Sequence, residues 1–86
     1  MSPLAIESAL RGILESAVGK RALPESLNDA SELLGAIPEL DSMAVAGLLT
    51  EMEDRLDIMI DDDDVDGDLF ATFGSLVAFA RAKVDG

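Results

Sequence analysis

Apolar residues recur at helical spacing in three separate stretches of this 86-residue chain. Steps of three and four residues place each set on one face of a helix. The three sets are Ile6, Leu10, Ile13, Leu14 and Ala17; Val45, Leu48, Leu49, Met52 and Leu56; and Phe73, Leu76, Val77, Ala80 and Val84. No comparable stretch alternates with the period of two that a half-buried strand requires. We therefore predict an all-α fold in which a single domain, residues 1–86, forms a small bundle of three main helices.

Capping residues and breakers predict where these helices begin and end. The pair Ser2-Pro3 supplies an N-cap followed by proline at the first helical position, and Gly19 ends the first helix. Asp41 or Ser42 caps the second helix, and Thr72 caps the third.

The connections between the helices differ in character. Residues 22–40 carry Pro24 and Pro38, so a long helix is excluded there, and we predict a packed loop with one short helical turn near Ala30 to Leu34. Residues 61–68 are too charged to be core and suit a short, exposed fourth helix.

The charge balance limits the classes of partner. Eighteen acidic residues against six basic ones give a net charge of -12, which repels nucleic acid and anionic membranes and attracts basic protein surfaces. No apolar run approaches the roughly 18 residues that span a bilayer. We expect a monomeric, cytoplasmic protein with basic protein partners, no nucleic acid and no membrane insertion.

The composition also restricts the chemistry of the chain itself. It contains no His and no Cys, which excludes His-dependent catalytic triads, zinc sites built from Cys and His, and disulfides. Any thiol chemistry would need a group supplied from outside the chain.

The acidic segment offers one candidate metal site. Asp62, Asp64, Asp66 and Gly67 match the opening of an EF-hand calcium loop, but the twelfth position is Phe73, where such a loop needs a bidentate carboxylate. We therefore predict no specific metal site. A calcium-responsive acidic helical module that uses the three aspartates remains an alternative from another functional class.

The segment Asp41-Ser42-Met43 stands at the end of the long loop, directly ahead of the second apolar stripe. By itself this pair is an ordinary helix cap. In its context, however, the chain resembles the acyl carrier protein family over nearly its full length. The resemblance rests on the Asp-Ser-Met motif, the order of the helices, the acidity, and the run from Leu56 to Asp61 after the second helix.

The resemblance implies that Ser42 carries a covalent 4′-phosphopantetheine arm, attached by a separate phosphopantetheinyl transferase that recognises Asp41. It further implies a non-catalytic carrier, which holds acyl groups as thioesters and presents them to acyl-transferring or acyl-activating enzymes with basic docking patches. A peptidyl or aminoacyl carrier is the alternative within the same class, although the strong negative charge disfavours it.

The second helix departs from the family pattern where partner enzymes are expected to bind. Fatty-acid-type carriers bear carboxylates two and five residues after the serine, whereas this chain has Ala44 and Gly47. We expect partners to dock closely over Met43, Ala44 and Gly47. The glycine either leaves room for the partner or allows close helix packing inside the bundle. The acidic residues expected to contact partners are Glu51, Glu53, Asp54, Asp62, Asp63 and Asp64. These departures suggest a dedicated lipid, polyketide or other specialised pathway.

Overall fold

The computed structural model describes residues 3–23, 27–33, 35–66 and 68–85, except for the side chains of Pro3 and Asp62. Within these residues, helix α1 spans Pro3–Val18, α2 spans Ser42–Leu56 and α3 spans Phe73–Asp85. Two short 3₁₀ helices, Lys20–Ala22 and Asp62–Asp64, lie between them. The predicted all-α bundle and its short helix in the acidic segment are confirmed, while the proposed cap Ser2 lies outside the described residues.

The three predicted apolar stripes form the core. Helix α1 packs against both α2 and α3, which also contact each other. Four positions of the first stripe, three of the second and four of the third are buried: Ile6, Leu10, Ile13, Leu14, Leu48, Met52, Leu56, Phe73, Leu76, Val77 and Ala80. The connecting segments add Leu27, Leu33, Ile37, Leu40, Ile58, Leu69 and Phe70 to the same core.

The ends of α1 and α2 depend on left-handed backbone conformations. Gly19 follows α1 with a φ of 91°, and its N–H donates to the Glu15 carbonyl at 2.8 Å. Asp57 follows α2 with a φ of 54°, and its N–H donates to the Glu53 carbonyl. Glycine adopts such a conformation without strain, and aspartate tolerates it better than most residues do.

The prediction of a short helical turn at 30–34 is wrong. Residue Glu32 instead forms an isolated antiparallel bridge with Thr72, and the Leu33 N–H donates to the Ala71 carbonyl at 3.2 Å. The extended backbone also supplies the Ser31 carbonyl, which accepts the Phe73 N–H at 2.8 Å. Extended pairing prevails here because it satisfies an N–H of the first turn of α3, which has no acceptor within that helix. Leu34, at the end of the predicted turn, lies outside the described residues.

Candidate functional site

The amino end of α2 is fixed by Asp41. Its carboxylate Oδ1 accepts the Ala44 N–H at 2.9 Å, and its carbonyl accepts the Val45 N–H at 2.9 Å. The backbone of Asp41 is extended, with a φ of -94° and a ψ of -175°. This geometry is that of an N-cap, whose loss typically costs about 1 kcal/mol. Asp41 is therefore the cap, and Ser42 is the first residue of the helix.

The loop before α2 holds this end in place. Ile37 and Leu40 are buried in the core, and the Leu40 N–H donates to the Ile37 carbonyl at 3.0 Å. The Asp41 N–H then donates to the Glu39 carbonyl at 3.0 Å, while the Glu39 side chain is exposed. Two buried anchors thus position Ser42, which is itself exposed.

The polar groups of Ser42 are available. Within the part of the chain that the structure describes, its hydroxyl makes no hydrogen bond. The N–H groups of Ser42 and Met43 belong to the first helical turn and have no acceptor within α2, whereas those of Ala44 and Val45 both donate to Asp41. An exposed hydroxyl therefore stands beside two N–H donors that have no acceptor among the described residues, at the positive end of a helix dipole.

The outer face of α2 next to Ser42 carries no charge. Met43 is 85% exposed, Ala44 is half-buried against the core, and Gly47 is exposed. A Cβ added at Gly47 would meet no atom within 4 Å. The packing explanation for this glycine is therefore wrong. Thr50 extends the neutral face, because its hydroxyl donates to the Ala46 carbonyl at 3.0 Å and leaves its methyl group free.

The three predicted acidic residues of α2 differ in their surroundings. Asp54 is exposed. Glu51 Oε2 lies 3.6 Å from the Arg55 Nε atom one turn along the helix. Glu53 is half-buried, and its Oε2 accepts the Ile60 N–H at 3.0 Å, which ties the segment after α2 to the helix. One oxygen of Glu53 is thus engaged in an internal hydrogen bond, whereas Asp54 is exposed to solvent.

The acidic segment is joined to α3 by an ion pair. Asp64 Oδ2 lies 2.7 Å from Lys83 Nζ and accepts the Asp61 N–H at 3.0 Å. The hydrogen bond from Lys83, followed by that from Asp61, lowers the pKa of Asp64, and the hydrogen bond to Asp64 raises the pKa of Lys83. Asp63 is exposed, and the side chain of Asp62 lies outside the described residues.

The same segment does not form a calcium cage among the described residues. Asp66 Oδ1 accepts the Leu69 N–H at 3.0 Å, Asp64 is paired with Lys83, and Phe73 is buried in the core. No group of three or more potential metal-ligating side chains occurs in the described part of the chain. Gly67, the fourth residue of the matched motif, lies outside the described residues.

The structure also forms a groove that the sequence analysis missed. It lies between the segment after α2 and the carboxyl-terminal half of α3, and is lined by Met59, Asp64, Phe79, Ala82 and Lys83. We call it the α3 groove. The spacing of Phe79, Ala82 and Lys83 places them on one side of α3, but nothing in the sequence indicates that Met59 would lie opposite them.

Comparison with known proteins decides the family. No protein-family model matches the sequence, and no curated protein matches it. Among solved structures, the chain is similar to the holo acyl carrier protein of Nitrosomonas europaea, determined in solution by NMR, with a TM-score of 0.83 and 38% identity. The match covers 94% of this chain and 96% of that one. This chain belongs to the acyl carrier protein family.

Family membership confirms the resemblance inferred from the Asp-Ser-Met motif, the helix order and the acidity. It supports a carrier function and interaction with partner enzymes in general terms. No described helix is both long enough and apolar enough to cross a membrane.

Proposed function

We propose that this protein is a non-catalytic acyl carrier that holds acyl groups as thioesters on a 4′-phosphopantetheine arm attached to Ser42. The observation that carries the proposal is the position of this serine. It is exposed, its hydroxyl makes no hydrogen bond within the described residues, and it opens α2 in a chain with the family fold.

The residues around Ser42 suit a phosphodiester at this position. The N–H groups of Ser42 and Met43, for which the described part of the chain supplies no acceptor, are donors for phosphate oxygens, and the helix N-terminus favours a negative charge. When attached, the arm supplies the thiol for thioester chemistry, which a chain without Cys lacks. One carboxylate oxygen of Asp41 caps the helix, and the other is not used by the cap, so it is available for recognition by the transferase.

Attachment depends on another enzyme. The chain has no His to act as a base toward the Ser42 hydroxyl. The serine is therefore a substrate group, which the loop residues Ile37 and Leu40 hold in position and the helix orients. This division of labour makes the protein a carrier rather than a catalyst.

Partner enzymes bind along α2 and the acidic segment. The neutral surface at Met43, Ala44 and Gly47 allows close approach beside the attachment site, because no side chain projects from Gly47. The acidic residues Glu51, Glu53, Asp54, Asp62, Asp63 and Asp64 attract and orient basic patches at longer range. The first turns of α2 carry no carboxylate, so partners that need to pair basic residues with carboxylates at these positions are disfavoured. This favours the partners of a dedicated pathway.

The attachment site is tested by loading. The protein is incubated with a broad-specificity phosphopantetheinyl transferase, coenzyme A and magnesium, and the intact mass is measured. The parent should gain one phosphopantetheine group, Ser42→Ala none, and Ser16→Ala, which changes an exposed serine of α1, the same as the parent. A folded parent protein that gains no mass would contradict the proposal.

The docking surface is tested with two substitutions at one position. Gly47→Glu adds a charged side chain to the open surface, whereas Gly47→Ala adds only a methyl group. The initial rate of loading by the transferase should fall for the glutamate variant and stay near the parent rate for the alanine variant. Equal rates for all three proteins, with unchanged circular dichroism, would remove the clearance role of Gly47.

A further inference from the structure

The α3 groove has the volume of a binding site and is wide open to solvent. Its volume is about 540 Å³, within the range of about 300–1,000 Å³ that is usual for ligand sites. Met59 and Phe79 supply apolar surface on its two sides, and Asp64 and Lys83 supply the polar groups.

Met59 is the large exposed apolar residue among those that line this groove. It is 79% exposed, although its neighbours Ile58 and Ile60 are buried and half-buried. A single exposed apolar side chain is ordinary, but one that borders a groove with a half-buried aromatic ring offers a contact surface. The unbranched thioether of methionine adapts to partners of different shape.

Lys83 forms one wall of the groove and is fixed there by two contacts. Its ammonium group lies 2.7 Å from the Asp64 carboxylate and 5.8 Å from the centre of the Phe79 ring. A long cationic side chain is thus held between a carboxylate and an aromatic face, an arrangement that favours both the charge and the methylene groups.

The surrounding charge selects a basic partner. Asp61 and Asp63 are exposed next to the groove, and Lys83 is already paired with Asp64. A second copy of this chain, with its own net charge of -12, would be repelled. Protein interfaces commonly have an apolar core and a polar rim, and the groove with its flanking carboxylates has the same arrangement. In such interfaces a few aromatic or arginine side chains contribute most of the affinity.

We propose that the α3 groove extends the docking surface of the acidic segment by giving basic protein partners an apolar anchoring point between Met59 and Phe79. The partner places an apolar side chain between Met59 and Phe79, and its flanking arginines pair with Asp61 and Asp63. The partner is one of the enzymes that serve the proposed carrier function, so the inference rests on that function. Since α2 is about 22 Å long and Ser42 and Met59 lie at or beyond its opposite ends, a partner held in the groove leaves Ser42 accessible.

The test uses the full-length, ¹⁵N- and ¹³C-labelled protein and three peptides capped at both ends. The first is Arg-Leu-Phe-Leu-Arg, the second replaces its apolar residues by serine, and the third replaces its arginines by glutamate. NMR titration measures the Kd and locates the contact. The first peptide should shift the Met59 methyl and Phe79 ring signals and bind more tightly than either of the others.

Two matched substitutions test the contact itself. Met59→Ser should weaken binding of the first peptide about tenfold, the loss expected when a buried methionine contact is removed. Leu4→Ser removes another exposed apolar residue, 75% exposed on α1, and should leave the affinity unchanged. Ala82→Arg, which fills the groove from α3, should weaken binding as Met59→Ser does.

Two results would overturn the proposal. One is equal affinity for the first and second peptides, and the other is an equal loss of affinity for Met59→Ser and Leu4→Ser. In either case binding would reflect general attraction to the acidic surface. Transferase loading of the same samples separates the two proposals. A parent protein that binds the first peptide in the groove but gains no phosphopantetheine would contradict the carrier function alone. Normal loading without groove contacts would contradict the docking site alone.

Discussion

Replacing Gly74 by alanine should destabilise the protein, whereas the same change at Gly47 should stabilise it. Gly74 lies in the first turn of α3, where a Cβ atom would stand 2.8 Å from the backbone carbonyl oxygen of Asp29. The Gly74 N–H donates to that same oxygen at 3.0 Å. A Cβ at Gly47 would meet no atom within 4 Å. The two sites therefore differ in tertiary contact, although both are helical.

The magnitudes follow from these contacts. In an open helical position, alanine is favoured over glycine by about 1 kcal/mol, and this is the gain expected at Gly47. At Gly74 the obstacle is backbone, which cannot rotate away, and overpacking of this kind costs about 1–3 kcal/mol. Displacing the loop would also weaken the hydrogen bonds to Asp29 and Ser31, worth about 1 kcal/mol each. The net loss at Gly74 should therefore be about 1–3 kcal/mol.

Urea unfolding followed by circular dichroism measures both free energies, since the chain has no Trp or Tyr for fluorescence and the helices give a strong signal. The two variants should differ by about 2–4 kcal/mol, the sum of the gain and the loss. Equal stabilisation of both would refute the close approach of the Asp29 loop to α3. A loss of stability in Gly47→Ala would refute the open surface on α2.

The remaining predictions concern the cap and the polar contacts around α2 and α3. Asp41→Ala should lower the free energy of unfolding by about 1 kcal/mol, and Asp41→Asn, which retains a capping oxygen, by less; equal losses in urea unfolding would contradict the cap. Lys83→Met should destabilise the protein at neutral pH, because it removes the partner that lowers the pKa of Asp64. The stabilising contribution of a carboxylate with a lowered pKa is fully present above the ordinary aspartate value of 3.8. It is lost as the pH falls through the lowered pKa. The stabilities of parent and variant should therefore converge once the pH falls below the lowered pKa of Asp64, and a constant difference would count against this ion pair. Glu53→Ala should accelerate amide hydrogen exchange at Ile60, because the variant loses its acceptor, whereas Asp54→Ala should not.

The Asp-Ser-Met motif and the apolar stripes made the main features of this protein predictable. Helix formation and capping depend on residues close together in sequence, so Asp41, Ser42 and the start of α2 follow from local chemistry. The spacing of Leu48, Met52 and Leu56 likewise gave the buried face of α2, because helical periodicity fixes which residues share a face.

The features that depend on distant parts of the chain were not predictable in this way. The segment at 30–34 has helical potential in isolation, yet Glu32 pairs with Thr72, forty positions away. The close contact at Gly74 and the apposition of Met59 and Phe79 in the α3 groove arise from the same kind of long-range packing.

The sequence by itself therefore determined the helices, the position of Ser42 and the acidic character that attracts basic partners, because each depends on local spacing or on total charge. Only the tertiary structure decided which carboxylates are free. It ties Glu53 to the backbone of Ile60 and Asp64 to Lys83, and leaves Asp54 and Asp63 exposed. The physical reason is that a carboxylate engages whichever donor the packed chain brings within hydrogen-bond distance, and packing depends on the whole fold.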